Sequence, residues 1–230
     1  MKKIIFIFIF ISNCVFSQTA DITIKIASDK AGKYHEKNGN PLYKKRYVDV
    51  GDFKNNLAWI KDDDGYFSHI DTTGTQLYKK KYVYVTDFDG EFAVAQDVND
   101  KRFHIRKNGV PLYGKKFFNV RPFSENLAAV QNDNGDWFFI DTLGVMPFSR
   151  KFVAVGNFHQ GYAWVADDDD GKFYHVSKTG IELYKNHYDG VTDFQDSIAY
   201  AKDGQTVIML FLNQTQKVER FFNLNQFDNQ

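Results

Sequence analysis

The sequence predicts an all-β protein built as a tandem array of five units of about 35 residues each. Three observations carry this prediction. Glycine recurs at a nearly constant spacing, and the same aromatic, valine, phenylalanine and alanine positions follow each glycine. The third observation is alternation at period two between short loops, which is typical of β-hairpins. Hydrophobic residues make up 43% and aromatic residues 17% of the 230-residue chain, so a folded core is expected rather than disorder.

The chain begins with a segment typical of a secretory signal peptide. Two lysines precede an apolar run at residues 4–11, and a short polar stretch ends at Ser17. The run is too short to span a bilayer, so we predict cleavage between Ser17 and Gln18 and export to the periplasm, the cell surface or the medium. The alternative is a lipid anchor on Cys14, the only cysteine of the chain. No later segment is long and apolar enough for a transmembrane helix in the mature chain.

Residues 18–38 predict an incomplete repeat that caps the array at its N-terminal end. They contain ADITIKIASD, which alternates as a leading strand would, followed by Tyr34 and His35. Terminal repeats are expected to differ from internal ones because one of their faces has no neighbour.

Five repeats follow over residues 39–205. Their glycines are spaced by 35, 35, 35 and 36 residues: Gly39, Gly74, Gly109, Gly144 and Gly180. Aromatic residues stand four positions later, at Tyr43, Tyr78, Tyr113, Phe148 and Tyr184, and eight positions later, at Tyr47, Tyr82, Phe117, Phe152 and Tyr188. Valine stands at position eleven, phenylalanine at fourteen and alanine at nineteen; the alanines are Ala58, Ala93, Ala128, Ala163 and Ala199. We interpret these columns as a stacked core shared by adjacent units.

Each repeat predicts three short strands. Segments such as YVDVGDF and YVYVTDF begin with β-branched and aromatic residues and then meet turn-forming residues just before the phenylalanine. A second strand such as LAWI, an acidic loop and a third strand such as YFSHID complete the unit. We expect the units to stack as an open, solenoid-like array, and a closed five-bladed β-propeller is the alternative.

Residues 206–230 predict a degenerate C-terminal capping repeat. The segment TVIMLFLNQTQKVERFF resembles a sixth copy, in which Thr215 falls where the glycine is expected. The predicted organisation is therefore a signal peptide at 1–17, a cap at 18–38, five repeats at 39–205 and a second cap at 206–230.

The repeat pattern resembles the WG-repeat family, also called KWG repeats. FSHIDTTG at 67–74 and WFFIDTLG at 137–144 carry the resemblance, which extends over about residues 34–205. The Trp-Gly dipeptide is absent from every copy: Trp137 occupies the tryptophan place, but Phe138 replaces the glycine. The resemblance implies a bacterial tandem β-repeat of the kind common in exported and surface proteins, and it implies no catalytic residues.

The charge pattern argues against a nucleic-acid partner. Lys+Arg and Asp+Glu both number 29, and acidic loops recur as regularly as the basic LYKKKY-type segments. Nucleic-acid binding requires a cationic excess, so we interpret LYKKKY at 77–82 as a solvated edge of one repeat.

Several side chains are candidates for ligand contact. Histidines recur five residues before three of the glycines, and two tryptophans occupy equivalent positions; the candidate ligand-facing residues are Trp59, Trp164, His69, His104 and His175. We interpret the histidines mainly as a packing column, because phenylalanine replaces histidine in one copy. Calcium binding by the acidic loops, foremost at residues 167–170, is a weaker alternative, because none has the spacing of a calcium-binding loop.

The functional prediction is a non-catalytic repeat protein. The sequence contains no nucleophile elbow, phosphate-binding loop, dinucleotide fingerprint or zinc-binding helix motif, so we expect no catalytic residues, no metal site and no cofactor. The expected role is a protein-interaction scaffold at the bacterial cell envelope. The alternative is a glycan-binding module that uses exposed aromatic residues, and the partner is accordingly another protein or a cell-envelope glycan.

Overall fold

A computed structural model describes residues 23–167, 171–212 and 218–223. These residues form nineteen β-strands in six antiparallel sheets and contain no helix. Accordingly, no helix of the described chain could cross a membrane. The signal-peptide prediction and the alternative of a lipid anchor on Cys14 lie outside the described residues.

Each sheet is formed by strands that are consecutive in the chain. The first three sheets contain β1 (Ile24–Asp29), β2 (Gly32–Lys37) and β3 (Asn40–Pro41); β4 (Asp49–Val50), β5 (Leu57–Lys61) and β6 (Phe67–Asp71); and β7 (Tyr84–Val85), β8 (Phe92–Gln96) and β9 (Arg102–Arg106). The last three contain β10 (Asn119–Val120), β11 (Ala128–Gln131) and β12 (Trp137–Ile140); β13 (Ala154–Val155), β14 (Tyr162–Ala166) and β15 (Phe173–Ser177); and β16 (Gly190–Val191), β17 (Ile198–Asp203), β18 (Thr206–Leu212) and β19 (Val218–Asn223).

A β-bridge at the eighth position after each glycine ties every sheet to the next unit. The pairs are Lys33–Tyr47, Phe67–Tyr82, Arg102–Phe117, Trp137–Phe152 and Phe173–Tyr188. Two residues later the chain enters the first strand of the following sheet, as Tyr84–Val85 does after Tyr82. The chain therefore steps from one small sheet to the next, and none of the six sheets closes into a barrel. The predicted all-β tandem array is confirmed.

Alternation along the strands gives each sheet two buried faces. In the second sheet, Ala58, Ile60 and Ile70 pack with Tyr43 and Tyr47 of the same repeat. On the opposite face of that sheet, Trp59 and Phe67 pack against the cluster of the following repeat. A strand that is covered on both faces needs a neighbour on each side, so the units stabilise one another by stacking. The alanine column is almost fully buried in all five repeats.

The repeated glycine has two structural reasons. At Gly109 the backbone has a φ of +72°, and a Cβ placed there would lie 2.4 Å from the ring of Tyr78 in the preceding repeat. The same contact joins Gly74 to Tyr43, Gly144 to Tyr113 and Gly180 to Phe148. Glycine tolerates a positive φ and lets the aromatic ring approach the backbone, so the glycine and tyrosine columns belong to one packing feature.

At both ends of the array, strands pair across the limits of the predicted caps: β3 at residues 40–41 belongs to the first sheet. Strand β18 pairs with β17 from Ile198–Phe211 to Asp203–Thr206, so residues 206–212 form one sheet with the strands of the fifth repeat. Strand β19 adds a fourth strand to that sheet. At the N-terminal end, β1 to β3 form the capping sheet, while residues 18–22 lie outside the described chain.

Candidate functional site

A buried histidine fixes the junction between successive sheets. His69 Nδ1 lies 2.6 Å from the hydroxyl of Tyr78, and Nε2 lies 2.9 Å from the carbonyl oxygen of Thr86. A carbonyl oxygen only accepts hydrogen bonds, so we assign the ring proton to Nε2, and Nδ1 then accepts from the tyrosine hydroxyl. Phe88 covers the imidazole with a ring-centroid distance of 4.4 Å. We call this arrangement of histidine, tyrosine, carbonyl and phenylalanine the clasp.

The clasp recurs in four of the five possible places. The other histidines are His35, His104 and His175, each with a tyrosine hydroxyl 2.6 Å from Nδ1 and a backbone carbonyl 2.7–2.9 Å from Nε2. All four are at most 1% exposed. Burial lowers the pKa of His69, His104 and His175 to about 4, so they are neutral at physiological pH. Both ring nitrogens are used within the protein, so the geometry gives these candidates a structural role.

The remaining place, in the fourth sheet, has the same ring arrangement without a polar side chain. Phe139 replaces the histidine, and Phe148 replaces the tyrosine that would otherwise donate to it. The two rings lie 6.0 Å apart, and Phe158 covers Phe139 at 4.7 Å. Histidine and tyrosine have therefore been exchanged together, which avoids leaving a buried hydroxyl without a partner.

The two candidate tryptophans lie half-buried between adjacent sheets. A Cβ added to Gly51 would be 2.2 Å from Trp59 Nε1, and one added to Gly156 would be 2.4 Å from Trp164 Nε1. Each indole therefore lies directly over a glycine on the neighbouring strand. Their partial exposure leaves part of each ring accessible, and this keeps the glycan alternative open.

The tryptophans belong to a variable column that sequence reasoning noticed only in part. Twenty or so residues after the glycines stand Trp59, Val94, Ala129, Trp164 and Tyr200. Opposite them, directly after the first strand of each repeat, stand Gly51, Thr86, Arg121, Gly156 and Thr192. The backbone bond between the two columns is the same throughout, for example Gly51 N to Trp59 O at 2.9 Å. The side chains thus vary on a constant backbone frame.

Two clefts adjoin residues of the variable column. A cleft of about 340 Å³ lies beside β8 in the second repeat and is lined by Tyr84, Thr86, Val94, Gln96, Arg102 and Val120. A larger cavity of about 770 Å³ lies in the fifth repeat, where Asp193, Ile198 and Tyr200 contribute to its wall, with His159 from the fourth repeat. These concave surfaces are the places where a ligand could contact several side chains at once.

The LYKKKY segment is tied down by the preceding acidic loop. Lys81 Nζ lies 2.6 Å from Asp62 Oδ2 and 2.9 Å from Asp64 Oδ2, and these bonds raise the pKa of Lys81. The equivalent pairs are Arg46–Asp29, Lys116–Asp97 and Lys151–Asp136. One cation in each of the first four basic segments is therefore neutralised locally, and these contacts form a ladder of ion pairs.

The acidic loops use their carboxylates to close turns. Asp62 Oδ1 accepts backbone hydrogen bonds from Asp64 and Tyr66, and Asp71 Oδ1 accepts them from Thr73 and Thr75. This is the usual way in which Asp stabilises a tight loop. Within the part of the chain that the structure describes, no group of three or more His, Cys, Asp or Glu side chains could hold a metal ion. The calcium alternative at residues 167–170 lies largely outside that part.

Comparison with known proteins identifies the repeat. The family described as "WG containing repeat" matches four tandem segments, at residues 34–66, 70–101, 105–135 and 137–169, which together make up more than half of the chain. No curated protein matches the chain.

The solved structures that are similar to this chain have low sequence identity to it. The computationally designed Ika8 protein is 16% identical with a TM-score of 0.49, and the match covers 89% of this chain and 71% of that one. BamB from Moraxella catarrhalis is 11% identical with a TM-score of 0.41, covering 86% and 75%. The WD40 β-propeller domain of Doa1 is 11% identical with a TM-score of 0.36, covering 88% and 76%. A likeness at this level concerns the fold alone.

Proposed function

Since the chain belongs to the WG-repeat family, we propose that it is an exported, non-catalytic scaffold that binds a protein partner at the bacterial cell envelope. The observation that carries the proposal is that each repeat combines constant structural positions with variable ones. The clasp, the glycine and the alanine are nearly constant, while the side chains beside the clefts change from repeat to repeat.

This division favours binding over catalysis. The clasp histidines and the column alanines are buried, and the histidines use their polar atoms within the protein, as His69 does with Tyr78 and Thr86. The variable column differs from unit to unit: its tryptophans are half-buried, Tyr200 is exposed, and the small Val94 and Ala129 are buried. A stacked array of this kind offers a long surface on which several side chains contact one partner. The signal-like N-terminal segment supports export, because its short apolar run fits a cleaved leader.

Affinity capture tests the scaffold. The chain from residue 18 onward serves as bait in a cell-envelope extract of the source organism, and retained proteins are identified by mass spectrometry. The test variant carries Trp59→Val and Trp164→Val, because Val94 is the natural residue of this column in the second repeat. The control is Leu143→Ala, which removes an apolar side chain that is 76% exposed and away from the column.

We expect the wild type and the Leu143 variant to retain the same protein and the double variant to lose it. Retention of no envelope protein by the wild type would contradict the scaffold. Equal retention by all three baits would place the binding surface away from Trp59 and Trp164.

A glycan-binding module is the second candidate, favoured by the half-buried indoles over Gly51 and Gly156. Aromatic rings that are accessible on one side are suitable platforms for sugar rings. Solubilised envelope polysaccharide should then change the tryptophan fluorescence of the wild type but not that of the double variant. If the polysaccharide leaves the fluorescence of the wild type unchanged, the glycan candidate fails.

A further inference from the structure

Arg121 stands where the other repeats have glycine or threonine, and the fold does not require an arginine at this position. Its carbonyl oxygen accepts the clasp bond from His104 Nε2 at 2.9 Å, as the carbonyl of Thr86 does for His69. A backbone carbonyl can do this for any residue, and the other four repeats place glycine or threonine there. The guanidinium is therefore an addition to the framework of the third repeat.

The guanidinium lies half-buried against an aromatic ring. Its central carbon is 4.9 Å from the ring centre of Trp137, a cation–π contact. Ala129 stands opposite Arg121 on β11, at the place that tryptophan occupies in two other repeats. In those two repeats the large side chain is the tryptophan and its partner is glycine, whereas here the large side chain is Arg121 and its partner is the small Ala129.

Arg121 is a cation without an anion. Among the described residues its guanidinium has neither a hydrogen-bond acceptor nor a carboxylate within ion-pair distance, whereas Arg46 pairs with Asp29 and Arg150 pairs with Asp167. Burial lowers the pKa of Arg121, and the more distant charge of Asp193 partly opposes that effect. The guanidinium is half-buried, and no protein group of the described chain uses its hydrogen-bond donors, so these donors are available to an anion.

We propose that Arg121 and Trp137 form a recognition site for a carboxylate, supplied by an Asp or Glu side chain of the protein partner. This inference rests on the scaffold function proposed above. The planar guanidinium matches a carboxylate with two parallel hydrogen bonds, and the indole holds the guanidinium in place. Arginine and tryptophan are also the residue types that dominate binding energy in protein interfaces.

Neighbouring groups favour a peptide over an acidic sugar. Trp137, which lies under the guanidinium, itself packs against the hydrophobic cluster that contains Val155 and Val165, so the surroundings of Arg121 are partly apolar and suit a protein side chain. The negative charge of Asp193, which influences Arg121 and also lines the cavity of about 770 Å³, opposes the approach of any anion and opposes a polyanion most strongly. The site therefore suits a single acidic side chain in a partly apolar segment.

Binding of defined probes tests the site. The titrant is a synthetic peptide with one glutamate flanked by leucine and serine, compared with the same peptide carrying glutamine, and binding is followed by calorimetry at low salt. The variants are Arg121→Gly, which installs the natural residue of the first and fourth repeats, and Arg121→Lys, which keeps the charge but loses the planar fork. Arg106→Ser is the control, because it removes an exposed arginine and installs the equivalent residue Ser177.

We expect the glutamate peptide to bind the wild type and the Arg106 variant equally, and to bind Arg121→Gly at least tenfold more weakly, with Arg121→Lys in between. Preference for glutamate over glutamine should disappear in Arg121→Gly. Equal binding by Arg121→Gly, or no binding to the wild type, overturns the proposal.

A parallel titration with an oligogalacturonate distinguishes the source of the carboxylate. Binding of that sugar through Arg121 without binding of the peptide overturns the assignment to a protein side chain. The scaffold is judged separately: if Arg121→Gly still captures the envelope partner, the carboxylate site is wrong while the scaffold stands. Thermal unfolding of every variant confirms that each one is folded before binding is compared.

Discussion

The clasps of the third and fourth sheets have the same shape but different chemistry. In the third sheet, the ring centroid of His104 lies 4.2 Å from that of Phe123 and 5.8 Å from that of Tyr113. In the fourth sheet, the ring centroid of Phe139 lies 4.7 Å from that of Phe158 and 6.0 Å from that of Phe148. Ring packing therefore sets the geometry of the junction, since it survives the loss of the histidine hydrogen bonds. The hydrogen bonds satisfy polar groups that are buried because of that packing.

The largest expected effect is a loss of stability in acid, which should arise at the clasps that contain histidine and not at the clasp that contains Phe139. The folded pKa of His69, His104 and His175 is about 4 because of burial, below the ordinary value of 6.5, so the unfolded chain binds more protons between those values. Stability is then complete above about pH 6.5 and falls as the pH approaches 4. We expect a loss of about 2 kcal/mol per histidine between pH 7 and pH 5.

Urea unfolding at several pH values measures this loss. Replacing both His69 and Tyr78 by phenylalanine copies the ring arrangement of the fourth sheet. In this variant the free energy of unfolding should fall less between pH 7 and pH 5, by about the amount that one histidine contributes. An unchanged loss in that variant would mean that the buried histidines do not govern the acid response.

The second-largest effect is expected at the glycine that contacts the clasp tyrosine. Gly109→Ala combines a positive φ with a Cβ 2.4 Å from the ring of Tyr78. We expect a loss of about 4 kcal/mol in the free energy of unfolding, from backbone strain and overpacking together. Gly39→Ala is the matched control, because its φ is +76° but nothing lies within 4 Å of the added Cβ, and it should cost only about 1 kcal/mol. Equal losses would show that the close ring contact adds nothing.

A single exchange in the clasp should cost more than the double exchange. His69→Phe leaves the Tyr78 hydroxyl and the Thr86 carbonyl without their partner. We expect a loss of about 3 kcal/mol, since each buried unsatisfied group costs about 1–3 kcal/mol. Adding Tyr78→Phe should restore about 1 kcal/mol, because the orphaned hydroxyl is then gone. Urea unfolding of both variants at pH 7 gives the difference, and a double variant less stable than the single one would refute the coupling.

The ion-pair ladder should have the smallest effect. Lys116→Ala removes the 2.7 Å contact to Asp97, in which the lysine side chain is 48% exposed. Exposed pairs contribute about 0–1 kcal/mol, so we expect a loss below 1 kcal/mol that vanishes at high salt. Thermal unfolding at two salt concentrations measures it. A loss of several kcal/mol would mean that the ladder is as important as the clasps.

Regular spacing made most of the fold predictable. The glycine, valine and alanine columns predicted five stacked units without helices, and the described chain consists of such β-sheet units and contains no helix. The pairing of residues 206–212 was less predictable, because the loop before β18 is short, with Asp203 at its start as its only carboxylate, and the sequence of β18 looks like a new unit. A strand is assigned to a sheet by its partner, and the partner of β18 is visible only in the fold.

The candidate site was predictable only in part. The equivalence of Trp59 and Trp164 was visible from spacing, but their position over Gly51 and Gly156 depends on cross-strand contact. The histidines were correctly grouped as a column, yet their tyrosine partners lie nine residues away in the chain and meet them only after the hairpin folds back. Arg121 drew no attention, because a lone arginine in a neutral sequence carries no signal.

The sequence by itself determined the period, the strand faces and the positions that must be glycine or alanine, because these depend on local backbone geometry and on residue size repeated at fixed spacing. Only the tertiary structure decided which groups meet. It joined each clasp histidine to a tyrosine of the next repeat and paired one cation in four of the five basic segments with a carboxylate. It also left Arg121 beside Trp137 with no carboxylate of the described residues within ion-pair distance. Hydrogen bonds and ion pairs act over a few ångströms in space, and distance along the chain does not reveal them.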